Sequence, residues 1–187
     1  QNNLFSNFGN KPTEYLIKRN LSKDIIRKFR IGFALDSWNN LYHNIKAEAP
    51  IDNLMKSGLL IRSEKGIFDR FRSRIMFPIF HQSGKVIAFG GRDFEKNDVA
   101  KYLNSPETTL YQKSNTLYGL HITKNDIRKS GYAILVEGYM DLLQLYQAGF
   151  KSVVSVSGTS LTRNHANILS KLVNKSNSYL FGCVNVI

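Results

Sequence analysis

Tyr132-Ala133-Ile134-Leu135-Val136-Glu137-Gly138-Tyr139-Met140-Asp141 is the stretch that decides the reading of this chain. The apolar run Tyr132 to Val136 predicts a buried strand, and Gly138 permits a tight turn into a helix. That helix, Met140 to Ala148, is closed by Gly149. Ser152 to Val156 predicts a second strand, Thr162 to Val173 a second helix, and Ser178 to Val184 a third strand. Strands alternating with helices of this length imply right-handed crossovers and a parallel sheet. Glu137 falls at the carboxyl end of the first strand, where open α/β sheets place their ligand sites. Asp141 follows four residues later, so both carboxylates can face one mouth of the sheet. Such a pair suits a hard divalent cation or a proton-transfer role. The spacing serves equally for helix capping by Glu137, since acidic residues favour helix starts.

Toward the N-terminus the period changes. From Phe71 to Ile79 the residues Phe71, Ile75, Phe77 and Ile79 alternate with Arg72, Arg74, Met76 and Pro78. With the turn His81-Gln82-Ser83-Gly84 and a returning strand Lys85 to Arg92, this predicts a β-hairpin with one core face and one cationic face. Arg70, Arg72 and Arg74 share a face by period two, a ladder able to track a phosphodiester backbone or to be simply solvated, with Asp69 partly neutralising it. After Gly90-Gly91-Arg92-Asp93, the segment Lys101 to Thr108 reads as a polar loop stopped by Pro106. Its lysine and Arg92 could hold phosphates and Tyr102 could stack on a base; read alone, it is an ordinary connection. Lys113 is a further possible phosphate contact, and Gly158-Thr159-Ser160 either an anion site at a helix start or plain capping.

Further upstream, Pro12 to Arg19 predicts a helix, Ser22 caps a second over Lys23 to Phe29, and Trp38 to Lys46 a third. Ile51 to Ser57, closed by Gly58, makes a fourth, so the residues up to about 58 read as a helical module. Residues 1–10 read as a linker, 11–130 as an N-terminal subdomain and 131–187 as a truncated α/β unit. The fold class is α+β joined to α/β: helices and a β-hairpin first, then an incomplete βαβαβ unit with a parallel sheet.

The chain has 187 residues, 26 lysines and arginines against 14 acidic residues, and a formal charge of +12. That balance favours a polyanionic partner, nucleic acid first. One cysteine, Cys183, excludes an internal disulfide framework and a four-cysteine zinc site. His43, His81, His121 and His165 lack metal-ligand spacing and read as surface or packing residues. With no apolar run near the roughly 20 residues of a membrane span and no leader pattern, a soluble cytoplasmic protein is expected. Beginning at Gln1, the chain reads as a fragment.

Five segments in order carry a resemblance: Arg74-Ile-Met-Phe-Pro-Ile79, Gly90-Gly-Arg92, Lys101-Tyr-Leu-Asn-Ser-Pro-Glu-Thr108, Leu117-Tyr-Gly-Leu120 and Val136-Glu-Gly-Tyr-Met-Asp141. Together with Arg27-Lys-Phe-Arg-Ile-Gly-Phe33 they resemble the RNA-polymerase core of bacterial replicative DNA primases, the DnaG type, from about Lys11 to Leu180. The resemblance implies DNA-templated synthesis of RNA primers from ribonucleoside triphosphates, by a template-contacting subdomain and a metal-binding Toprim subdomain. It implies that Glu137 and Asp141 are the catalytic and metal residues, with Mg²⁺ or Mn²⁺ as cofactor. It likewise implies nucleotide and template contacts at Arg30, Arg74, Lys101 and Lys113. Arg70, Arg72, Arg92, Tyr102 and Asn104 complete the expected nucleic-acid surface. Zinc would belong to an N-terminal domain absent here, and a replicative helicase would be met through an absent C-terminal domain. The setting implied is the bacterial cytoplasm, at the nucleoid.

The end of the chain departs from that pattern. The family's third Toprim strand ends in an Asp-x-Asp pair, whereas Tyr179 to Ile187 offers no carboxylate and none follows Asp141. Two carboxylates alone hold Mg²⁺ weakly, so weak or absent polymerisation by this chain is expected. A truncated or frameshifted copy is one account, a degenerate single-strand-binding remnant another. A different Toprim protein, such as a topoisomerase or a recombination mediator, is the remaining alternative, against which the Lys101 to Thr108 segment stands.

Overall fold

A computed structural model describes residues 1–95 and 100–173. The expected strand Ser178 to Val184 lies outside the described residues. The chain folds as two compact units, the first comprising Gln1–Arg19, Ile26–Pro78 and Ala88–Leu110. The second comprises Asn20–Ile25, Ile79–Ile87 and the residues from Tyr111 on.

In the first unit, α1 (Asn10–Lys18) starts two residues before Pro12, whose missing N–H falls among the unpaired donors of the first turn. Leu16 is fully buried. The residues expected as a linker instead form two 3₁₀ turns, Asn2–Phe5 and Asn7–Gly9, because Leu4 is buried and Thr13 Oγ1 donates to its carbonyl at 2.9 Å. Helix α2 (Lys23–Lys28), whose first three residues belong to the second unit, begins at Ser22, whose Oγ accepts from Ile25 N–H at 3.3 Å. The helical reading of the first 58 residues misses β1 (Gly32–Ala34), a three-residue strand too short to show a period. Helices α3 (Asn40–Ile45) and α4 (Ile51–Lys56) follow, the latter ending before Gly58 at φ +72°. A small antiparallel ribbon, β2 (Leu60–Ser63) with β3 (Gly66–Asp69), pairs Leu60 with Asp69.

The main sheet has the order β1-β4-β5-β6, with β4 (Arg74–Phe80), β5 (Val86–Arg92) and β6 (Tyr102–Asn104). Phe33 pairs with Ile75, and Arg92 with Tyr102, both antiparallel. The expected loop at Lys101 to Thr108 thus opens with a strand, which the edge of β5 recruits through backbone pairing that no side-chain pattern announces. The β4–β5 turn is as read: His81 N–H donates to Lys85 O at 2.9 Å and Gly84 has φ +86°.

In the second unit, β7 (Ile134–Val136) pairs in parallel with β8 (Val153–Ser155), linked by α6 (Tyr139–Gln147). Tyr118 adds an antiparallel bridge to Ser155 on the other side of β8. Helix α5 (Leu120–Ser130), which no apolar period announces, runs between Gly119 and Gly131, both left-handed, and buries only Leu120, Thr123 and Ile127. Helix α7 (Arg163–Ser170) is capped by Thr162. Leu120, Ile127, Ala133, Leu135, Val154, Val156, Leu169 and Leu172 form the core. Among the described residues no helix is long and apolar enough to cross a membrane.

Candidate nucleic-acid and catalytic residues

Glu137 follows the last residue of β7 and is exposed; among the described residues its carboxylate has no hydrogen-bond partner. Its backbone, in contrast, is fixed. Glu137 O accepts from Ser155 Oγ at 3.1 Å and from Gly158 N–H at 2.9 Å. Ser155 Oγ in turn accepts from Ser157 N–H at 3.0 Å, across a turn in which Ser157 and Gly158 have φ +56° and +78°. On the other side, Gly138 N–H donates to Asp141 Oδ2 at 3.0 Å. The capping carboxylate is therefore Asp141, and Glu137 is left to project from the strand end. The Gly158 amide, considered for an anion, is already committed to Glu137 O, and α7 does not begin until Arg163.

Both carboxylates thus sit at the mouth of β7, but with unequal freedom. Among the described residues no group of three or more His, Cys, Asp or Glu side chains gathers where a metal could be held. Among the described residues the donors at this mouth are two carboxylates, one of them engaged in capping; magnesium ordinarily takes one or two carboxylates together with substrate phosphates and water.

In the first unit the arginine ladder does not exist. Ser73, at φ +47°, breaks the run before β4, so Arg70, Arg72 and Arg74 are not residues of one strand. Arg74 is buried (8% exposed), and its Nη1 donates to Ala100 O at 2.9 Å and Gly91 O at 3.4 Å. Burial pushes its guanidinium pKa down; Asp93 pulls the other way and Arg72 adds to the lowering. A Cβ on Gly91 would meet Phe71 Cδ1 at 2.8 Å and Arg74 Cδ at 3.1 Å, which explains the glycine. Arg92 is also buried, its guanidinium between the Tyr15 and Tyr102 rings at 5.3 and 5.0 Å and bonded to the Tyr102 hydroxyl. The cross-strand pairing of Arg92 with Tyr102 sets up that contact. The expected cationic face of the hairpin is therefore turned to packing at Arg74, and Arg92 is likewise packed. Arg70 Nε is buried without a partner among the described residues.

Arg72 is different. Its guanidinium lies 4.2 Å from the Trp38 ring centroid and 5.3 Å from that of Phe68, and it donates to Asp69 O. Trp38 and Phe68 meet edge to face at 5.4 Å, while Trp38 remains 63% exposed. An exposed indole beside a cation offers the kind of surface on which nucleobases stack in single-strand-binding proteins. The sequence reading missed Trp38 by treating it as the start of a helix; that it is the only tryptophan in a strongly basic chain was the available signal. Asp69, taken there as a neutralising neighbour, instead accepts from Leu41 N–H at 2.7 Å and Tyr42 N–H at 2.9 Å, capping α3 from outside. Asp69 N–H also donates to Trp38 O at 2.7 Å, which fixes the backbone of Trp38.

The remaining first-unit residues are accessible to different degrees. Lys101 is exposed, and Tyr102 and Asn104 are half-buried on β6. Arg30 is exposed at φ +55°, in the left-handed position that closes α2: its N–H donates to Arg27 O, and Ile31 N–H to Ile26 O, both at 3.0 Å. Glycine is the ordinary residue there. Arg30→Gly is expected to leave stability unchanged or raise it by up to about 1 kcal/mol, while weakening single-stranded DNA binding. Urea denaturation and fluorescence anisotropy check the two halves. In the second unit Lys113, half-buried, stands in a 3₁₀ turn, Lys113–Asn115.

The N-terminal domain model of the DNA primase catalytic core matches residues 1–124, and the Toprim domain model matches residues 131–181. The chain belongs to the DNA primase catalytic-core family. The DNA primase of Legionella pneumophila is 43% identical over 167 residues, covering 87% of this chain and 28% of that protein. The RNA polymerase domain of Mycobacterium tuberculosis primase DnaG, in complex with double-stranded DNA, superposes with a TM-score of 0.90 at 31% identity, covering 96% of this chain and 58% of that one. A DnaG primase catalytic domain bound to single-stranded DNA gives 0.84 at 39% identity, covering 92% and 54%. This primase chain thus spans little more than a quarter of the curated relative. The matches decide for a primase among Toprim proteins, over a topoisomerase or recombination mediator.

Proposed function

We propose that this chain is the part of a bacterial DNA primase core that engages the single-stranded template and presents the catalytic glutamate for RNA primer synthesis from ribonucleoside triphosphates. The observation that carries the reading is the exposed, backbone-clamped Glu137 at the end of β7, in a chain whose family is primase. The DnaG domain bound to single-stranded DNA supports the choice of template. Trp38 and Arg72 stack and pair with the strand, while Arg30, Lys101, Asn104 and Lys113 meet phosphates of template or nucleotide. Arg74, Arg92 and Tyr102 act mainly by holding β4, β5 and β6 in place, and Arg70 stands beside them. Glu137 carries the negative charge that chemistry at the primer terminus requires.

A divalent cation, Mg²⁺ or Mn²⁺, is the proposed cofactor; it would supply charge neutralisation at the transferred phosphoryl group. With two carboxylates at hand, one of them capping, the purified chain alone is proposed to synthesise primers weakly. Robust metal-dependent synthesis by it would overturn that point. A replicative helicase and a zinc-binding domain belong to the proposed whole protein, acting in the bacterial cytoplasm at the nucleoid.

The direct test is a graft. Residues 1–173 replacing the matching segment of the Legionella pneumophila primase are expected to support RNA primer synthesis on a single-stranded template. A folded graft with no synthesis, beside an active parent, would refute the assignment.

A further inference from the structure

Within the second unit, the turn Lys113–Asn115 is held from the start of α7 by two side chains. Thr162 Oγ1 donates to Ser114 O at 2.7 Å, and His165 Nε2 lies 2.8 Å from Lys113 O. The same two residues close on each other: His165 N–H donates to Thr162 Oγ1 at 3.1 Å, and Thr162 N–H points at His165 Nδ1 at 3.3 Å. Because Nδ1 accepts, the ring proton is assigned to Nε2, which therefore donates to the Lys113 carbonyl. His165 is fully buried. Capping α7 occupies only Nδ1 and the threonine hydroxyl oxygen. The two bonds to consecutive carbonyls of a turn 48 and 52 residues upstream are additional to it.

A lysine side chain is flexible, so a fold directs its ammonium group by fixing the backbone from which it springs. Two bonds, to the carbonyls of residues 113 and 114, fix successive peptide planes and with them the Cα–Cβ direction of Lys113. Misplacement of a charge by about an ångström is enough to lose much of its effect on a bound group. We propose that His165 and Thr162 are positioning residues that aim Lys113 at a phosphate-bearing ligand. The proposal rests on the reading of Lys113 as a phosphate contact given above.

The test uses the 187-residue chain and two separate probes, a fluorescein-labelled single-stranded DNA and a fluorescent ATP analogue with magnesium, which distinguish template phosphate from nucleotide phosphate. Lys113→Ala is expected to weaken one of the probes about tenfold. His165→Ala should weaken the same probe by about three- to tenfold, and should add nothing in the Lys113→Ala background, as coupled residues do. His165→Gln, whose amide retains a donor near the Nε2 position, should recover most of the loss. If His165→Ala fails to fold, Thr162→Val takes its place, with the same non-additive result expected. Affinity unchanged in folded His165→Ala, or losses that multiply in the double variant, would overturn the positioning role while leaving the Lys113 contact intact. No effect of Lys113→Ala on either probe would instead remove the contact itself, and the positioning role with it.

Discussion

Glu137→Gln in the Legionella graft is expected to reduce primer synthesis by about a thousandfold, with folding and single-strand binding unchanged. The Glu137 carboxylate is exposed and without a hydrogen-bond partner among the described residues, so the fold does not depend on its charge. What the fold does specify is its backbone, held by Ser155 Oγ, Gly158 N–H and the Asp141 cap on the next peptide. With the backbone so anchored and the side chain uncommitted, loss of the carboxylate is expected to show in synthesis and not in folding. Asp141→Ala should behave differently: loss of the cap costs about 1 kcal/mol of stability, measurable by thermal denaturation. Equal loss of stability for Glu137→Gln would show that Glu137 is structural.

Asp69→Ala is expected to cost about 2–3 kcal/mol of stability and about tenfold in single-stranded DNA affinity. One carboxylate here serves two N–H groups at the start of α3, while the same residue's backbone holds Trp38 and receives Arg72. Alanine keeps those backbone bonds, but loss of the carboxylate leaves two part-buried donors unpaired and loosens the start of α3 next to Trp38. Asp69→Asn, which keeps one acceptor, should lose about half as much stability. Chemical denaturation with anisotropy on the same samples separates the two effects. A destabilised variant with undiminished affinity would show that the α3 cap does not act on the surface formed by Trp38 and Arg72.

Much of the second unit was legible because its signals are local. The apolar runs at Ile134 to Val136 and Val153 to Ser155 and the glycines at 138 and 149 each report their own structure. The hairpin turn and the Ser22 and Gly58 caps were legible for the same reason. Failures came where a distant partner decides. Gly32–Ala34 and Tyr102–Asn104 are strands because β4 and β5 offer them an edge. Arg74 reads as a surface cation until Gly91 makes room for its side chain and two carbonyls receive it. Trp38 looked like helix because the cap that shapes its neighbourhood comes from Asp69. His165, read as a surface or packing residue, is buried, and no spacing connects it to Lys113. Helix α5 hides its pattern because so few of its residues face the core.

The central claim is that this chain holds a single nucleic-acid strand by phosphate pairing together with stacking on Trp38. It is tested most directly by fluorescence anisotropy of the purified chain with a labelled single-stranded DNA over a series of salt concentrations. The account predicts that log affinity falls linearly with log salt, with a slope of about −3 for roughly four phosphate contacts. It further predicts that Trp38→Ala lowers affinity by about tenfold at every salt concentration, with the slope retained. Absence of binding at low salt, a slope near zero, or full affinity in the Trp38→Ala variant would contradict it.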